Sequence, residues 1–267
     1  MLSLELKAIK RVANQPNVSI PYLKEKLDTI FKRYHHSPVE ISPHQSMGKF
    51  HRSRSMREKP THIGELNYPP SPEKVILQRA NHAKKPVFYC SGNPRATLFE
   101  IGLQSETTIV LSKWVLIKSI LVSLLGYTQE TFFALGANRR CPDIFPAINK
   151  QHNEYSRSNI RITEFLANEF TVPEKTSYKL TATIAEMFLE TRNEYGIAYP
   201  AIGMHANAEN FAFTKELVDN SLKIVSAKWF IVSSSNSLIA IDYADSFSTS
   251  GNIIWKGYVP AEEQKYL

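Results

Sequence analysis

RANHAKKPVFYCSGNPRATLFEI, residues 79–101, holds a strand, a turn and the start of a helix in one short run. Within PVFYCS, residues 86–91, alternation puts Val87, Tyr89 and Ser91 on one face and Phe88 and Cys90 on the other, the period of a β-strand. Asn93 followed by Pro94 pairs an N-cap with a proline at the first helical position, where its missing N–H is no loss. RATLFEI continues that helix, and Glu100 falls about two turns in, on the face of Ala96 and Thr97.

Outward from this segment the chain mixes helices and strands. Residues 1–14 and 21–34 predict two amphipathic helices, with Leu2, Leu6 and Ile9 in the first and Leu23, Leu27, Ile30 and Phe31 in the second; QPNVSIP separates them. Residues 37–57 are polar, with Pro38, Pro43, His44 and His51, and predict a loop or linker. The expected division is a helical extension over 1–45 and a main domain over 46–267. Downstream the patterns predict a strand at 107–111, a long apolar helix at 113–126, a polar insertion at 138–161, helices at 162–170 and 173–192, and a strand-rich C-terminal part. Strands and helices lack the regular alternation of a doubly wound sheet, so the class is α+β.

Composition narrows the function. The chain is 43% hydrophobic and 21% charged, which predicts a packed core and not a disordered chain. Cys90 and Cys141 form no CxxC pair, so they predict buried thiols and neither a disulfide framework nor a zinc site. The N-terminal MLSLELKAIKRVANQ lacks a signal peptide's continuous apolar stretch, and the window 114–127 is too short to span a bilayer; a cytoplasmic protein is expected. Residues 1–90 carry 16 Lys and Arg against 7 Asp and Glu, and the remainder 16 against 18. Such a basic first third suits nucleic acid, an acidic partner or a small polyanion such as a dinucleotide. No nucleic-acid motif accompanies the charge, so direct nucleic-acid binding is not expected. The adjacent His35 and His36 lack metal-ligand spacing, and no metal is expected. GxGxxG, Walker, HExxH and GxSxG signatures are all missing.

From Phe50 to Ile101 the chain resembles the RES domain, a family of bacterial NAD-consuming toxins named for its Arg, Glu and Ser residues. FHRSR, with Arg52 and Arg54, is similar to the family's opening arginine-rich strand, and ELNYPP, with Tyr68, to its tyrosine-proline segment. Arg79, Tyr89 and Glu100 occupy the arginine, tyrosine and glutamate positions at the family's spacing. SKW at 112–114 and GIAYPAIGMHANAENFAF at 196–213 resemble later segments, so the likeness covers most of 46–267. One departure is Ala201, where the family carries its serine; Asn210 matches a recurring asparagine.

The resemblance implies an enzyme that cleaves NAD at the nicotinamide–ribose bond, with phosphate, water or a protein side chain as acceptor. Those are the NAD phosphorylase, NAD glycohydrolase and ADP-ribosyltransferase alternatives. It implies a fold related to the ADP-ribosyltransferases, a split pair of small antiparallel sheets flanked by helices with the NAD cleft between them. Nicotinamide leaves from a cationic pyridinium, so no general acid is required, and one fixed carboxylate, Glu100, can stabilise the developing oxocarbenium. Arg79 and Arg52 suit the diphosphate, with Arg54 in reserve because residues two apart in a strand share a face. Tyr89 offers a stacking ring and a hydroxyl; Tyr68 and Tyr199 are weaker candidates of the same kind. Asn210 is expected to hold the loop whose serine is replaced, and Ala201 removes one hydrogen-bonding group from the pocket. A competing expectation is a RES domain impaired by Ala201 that serves as a binding module. Family habit also implies an Xre-type helix-turn-helix antitoxin as partner, and the basic N-terminal part suits such a partner or self-association as a homodimer.

Overall fold

The computed structural model describes residues 2–34, 38–45, 48–102, 104–128, 157–171, 178–190, 195–201, 208–235 and 237–264. The main sheet is built from β1 (Val39–Ile41), β2 (Lys49–Ser55), β3 (Phe88–Ser91), β4 (Thr108–Leu116), β5 (Ile120–Leu124), β6 (Tyr195–Pro200), β7 (Glu209–Phe213), β8 (Leu222–Val232) and β9 (Leu238–Ala244). Its spatial order is β1-β5-β6-β7-β3-β2-β4-β8-β9, antiparallel throughout except for the parallel pair β5–β6. A small ribbon pairs β10 (Ser246–Phe247) with β11 (Ile253–Ile254). The described helices are α1 (Leu2–Ala13), α2 (Ile20–Phe31), α3 (Pro94–Ile101), α4 (Arg157–Thr171), α5 (Tyr178–Leu189) and α6 (Lys215–Ser221). The architecture is α+β, with a large mixed sheet.

One junction in this sheet differs from the others. β2 pairs with β4 along its whole length, from Lys49↔Val115 to Ser55↔Ile109, and β3 pairs with β7 from Phe88↔Phe213 to Ser91↔Asn210. Between β2 and β3 the register holds only at His51↔Ser91. Two half-sheets therefore meet at one residue pair and diverge beyond it.

The strand–turn–helix of residues 86–101 folds as its sequence dictates. β3 alternates between the two faces, Asn93 caps α3 by accepting the Arg95 N–H at 2.9 Å, and Pro94 opens the helix. Ser91 fixes the turn, its hydroxyl donating to the Glu209 carbonyl and accepting the Asn93 N–H.

Two expectations are corrected. The apolar run at 113–126, expected as a helix, is the end of β4 and all of β5, separated by Ile117, Lys118 and Ser119. Its Val115, Ile117, Ile120 and Val122 are β-branched, and a strand covered on both faces reads as continuously apolar as a buried helix does. The polar stretch 37–57, expected as a linker, carries β1 and β2. Arg52 and Ser53 of β2 are buried, so polar residues here sit inside the fold and not in a solvated connection. Helix α6 has no counterpart among the expected elements. Most of the insertion at 138–161, together with Cys141, His35 and His36, lies outside the described residues.

Successive residues of the central strands feed cores on opposite faces. On one face Phe50 meets Phe211 and Phe213 at 5.0 and 5.1 Å, and Phe88 meets Trp114 at 5.1 Å, all edge-on. Gly196 is required beside this cluster, because a Cβ there would lie 2.4 Å from the Phe213 ring. On the other face Leu6 and Ile9 of α1 and Leu23, Leu27 and Ile30 of α2 share one core with Ile162, Leu166 and Phe170 of α4 and Leu180 and Ile184 of α5. The N-terminal helices are thus packed into the same body as the sheet. Among the described residues no helix is long and apolar enough to cross a membrane.

Phe50 is fully buried at the centre of the aromatic cluster, so Phe50→Ala is expected to lower stability by about 3–5 kcal/mol in a urea titration. A second expectation concerns acid. Burial, reinforced by the Lys113 charge across the ladder, holds His51 down at about 4, and burial with Lys85 nearby does the same to His82. Unfolded histidines take up a proton near 6.5, so this contribution is complete above that pH and is lost as pH falls from about 6.5 to about 4. Urea midpoints measured across that window should fall, and the fall should be shallower in His51→Gln/His82→Gln.

Candidate functional site

Beyond His51↔Ser91, where β2 leaves β3, a cleft of about 530 Å³ opens. Its walls come from residues 52–55 of β2, residues 76–79 before β3, Tyr89 and Cys90 of β3, and Thr97, Glu100 and Ile101 of α3. Tyr178 of α5, Tyr199 of β6 and Asn210 of β7 complete it. The volume falls within the range of small-molecule sites.

Arg52 occupies the fork. It is buried, its Nη1 donates to the Tyr89 main-chain carbonyl at 2.6 Å, and its guanidinium lies over the Phe88 ring at 5.1 Å. Burial, with the Arg54 charge beside it, pulls its pKa down to about 9, and its Nε has no partner. Arg54 donates through Nη1 to the Glu65 and Asn67 carbonyls, at 2.5 and 3.3 Å, and burial lowers its pKa too. Among the described residues neither arginine is ion-paired with a carboxylate. Arg79 is buried, and its Nη1 donates to the Glu169 and Phe170 carbonyls at 3.3 and 3.1 Å. Those carbonyls belong to the last turns of α4, where the helix dipole favours a cation.

Tyr89 is half-buried, and its hydroxyl is fully engaged: it donates to Asn81 Oδ1 at 2.7 Å and accepts the Ala80 N–H at 2.9 Å. Burial drives the phenol far above its ordinary pKa. Its hydroxyl therefore fixes the chain next to Arg79, and only the ring is left for a ligand. Tyr199 is buried, tilted against Phe170 at 5.5 Å, and also pushed well up by burial and by its Tyr89 and Glu100 neighbours.

Glu100 is exposed at the rim and is the only acid among the lining residues. Asn210 Nδ2 donates to its Oε1 at 2.7 Å. Its amide orients the carboxylate, and the loop at 202–207 that Asn210 is expected to hold lies outside the described residues. One turn earlier on α3, the Thr97 hydroxyl meets Ser53 Oγ at 2.6 Å and ties the helix to β2.

The cleft thus gathers seven of the nine candidates, Arg52, Arg54, Arg79, Tyr89, Glu100, Tyr199 and Asn210. Two lie elsewhere. Tyr68 donates to both carboxylate oxygens of Asp219, at 3.0 and 3.1 Å, and Lys215 sits 5.8 Å from its ring. Ala201 does not line the cleft: it is wholly buried, packed with Ala208 and with Ala96, one helical turn before Glu100. Sequence reasoning missed Tyr178, which lay unmarked inside a predicted helix, and the Ser53–Thr97 pair, although Ser53 stands within FHRSR. Among the described residues no group of three or more His, Cys, Asp or Glu is placed to hold a metal ion.

Fold and site together define an α+β protein whose sheet forks into a basic, tyrosine-walled cleft with one carboxylate at its rim. No protein-family model matches the chain, and neither does any curated protein.

A buried guanidinium without a carboxylate is destabilising until an anion arrives. Arg52→Met removes that cost but also the donor to the Tyr89 carbonyl, so the two effects are expected to offset and leave the ligand-free stability within about 1 kcal/mol of the unsubstituted protein. Inorganic diphosphate should raise the melting temperature of the unsubstituted protein, and scanning calorimetry should show that rise abolished in Arg52→Met.

Proposed function

We propose that the chain is a RES-type enzyme that cleaves NAD at the nicotinamide–ribose bond. The observation that carries this reading is the convergence of Arg52, Arg79, Tyr89 and Glu100, far apart in sequence, on one dinucleotide-sized cleft. The fork between two half-sheets, joined only at His51↔Ser91, supports kinship with the split-sheet ADP-ribosyltransferase fold.

In this reading Arg52 and Arg79 grip the diphosphate, with Arg54 beside them, and the rings of Tyr89 and Tyr199 flank the nicotinamide end. The N-glycosidic bond breaks with its electron pair going to the pyridinium nitrogen, so nicotinamide departs neutral and needs no proton. Glu100, its Oε1 fixed by Asn210, faces the positive charge that develops on the ribose. An acceptor oxygen from phosphate, water or a protein side chain then bonds to C1 and gives up its proton to solvent. A cytoplasmic setting and an Xre-type antitoxin as partner belong to the same proposal.

One observation favours a second reading, a dinucleotide-binding module without turnover. Glu100 is exposed, and water around a carboxylate weakens its hold on developing charge. Incubating the protein with NAD and inorganic phosphate, with mass spectrometry of the products, separates the two. ADP-ribose, its 1″-phosphate or a modified protein supports the enzyme and names the acceptor, whereas binding without products supports the module. In the enzyme, Glu100→Gln is expected to lower kcat by about 10²–10³-fold while calorimetry shows diphosphate binding unchanged.

A further inference from the structure

Tyr178 opens α5 half-buried at the cleft wall, its ring 5.2 Å from the guanidinium carbon of Arg79. We infer that Tyr178 is the positioning residue for Arg79 and, through it, sets the affinity of the cleft for a diphosphate. This rests on the reading of the cleft as a dinucleotide site.

The guanidinium of Arg79 is planar, so fixing one nitrogen and one face fixes the direction of the whole fork. The Glu169 and Phe170 carbonyls hold Nη1, and the Tyr178 ring supplies the face. Both of these holds are neutral, so neither of them cancels the charge of the cation it orients. The main chain at the same point is fixed separately, because the Tyr89 hydroxyl binds the next two residues, Ala80 and Asn81. The ring itself stands on a rigid base, since Leu180 and Ile184 of α5 are buried in the same core as Phe170 of α4.

The Tyr178 hydroxyl, in contrast with that of Tyr89, has no hydrogen-bond partner among the described residues. Its ring is therefore what the site uses. A partly desolvated cation–π contact corresponds to about a tenfold change in affinity when orientation is lost.

Calorimetric titration of the full chain with inorganic diphosphate tests this. Tyr178→Phe should bind within about twofold of the unsubstituted protein, and Tyr178→Leu about tenfold more weakly, with little change in melting temperature. Tyr178→Met replaces the leucine variant if that one does not fold. In an Arg79→Ala background, Tyr178→Leu should cause no further loss, because the ring acts through the guanidinium. With NAD as substrate the loss should appear in KM and leave kcat nearly unchanged. Undiminished binding by Tyr178→Leu, or a second tenfold loss in the Arg79→Ala background, overturns the inference. If the unsubstituted protein binds diphosphate but leaves NAD intact, the enzymatic proposal fails and the role of Tyr178 stands. If it binds no diphosphate, both fall.

Discussion

Where β2 parts from β3, a strand edge inside the fold loses its ladder, and main-chain groups that lose a ladder partner must find another or remain unpaired in the interior. At this fork the partner is a side chain: Arg52 reaches across from β2 and gives an N–H to the Tyr89 carbonyl. Ser112 on β4 in turn donates to the Arg52 carbonyl, and the Trp114 indole N–H donates to Ser112. The opening between the half-sheets is thus held by a chain of hydrogen bonds that runs back into the aromatic core. A neutral side chain could bridge the same gap, but only a cationic one also leaves a buried positive charge facing the cavity. Support of the fork and provision of a cationic floor are consequently one structural decision.

The opposite wall follows a similar logic. Arg79 is held by the carbonyl end of α4, and Tyr89 holds the residues that follow Arg79. α4 is positioned by the core it shares with α1, α2 and α5, so the N-terminal helices bear on the cleft through packing although none of their residues lines it. Two independent cores, one on each face of the sheet, therefore fix the two sides of one cavity.

Legibility in the sequence tracked how local the cause was. Asn93-Pro94 and the alternation of PVFYCS are local signals, and β3 and α3 follow them closely. Arg52, Arg79, Tyr89 and Glu100 were legible through the spacing of a resembled motif, which periodicity alone would not have supplied. The run at 113–126 was misread because burial on both faces erases the period that separates strand from helix. The stretch 37–57 was misread for the opposite reason: its polarity suggested solvent, whereas Arg52 and Ser53 lie on an interior strand of the sheet, buried, and line the cavity. Tyr178 comes from the far half of the chain, and nothing local marks a ring that matters only because Arg79 lies above it.

The positions of Ala201 and Asn210 bear on the proposed RES reading, in which a serine would stand at position 201. Ala201 is enclosed with Ala96 and Ala208 behind α3, one turn from Glu100, so a hydroxyl there would act on the helix that carries the carboxylate before it could act on a ligand. Asn210, two residues beyond Ala208, already supplies the direct hydrogen bond to Glu100. Alanine at position 201 thus leaves the carboxylate's own partner in place and fills the space behind it with apolar contacts, which require no hydrogen-bond partner. The carboxylate end of the cleft is accordingly anchored from β7 and packed from the residues that follow β6 and precede β7, and its geometry does not depend on a hydroxyl at position 201.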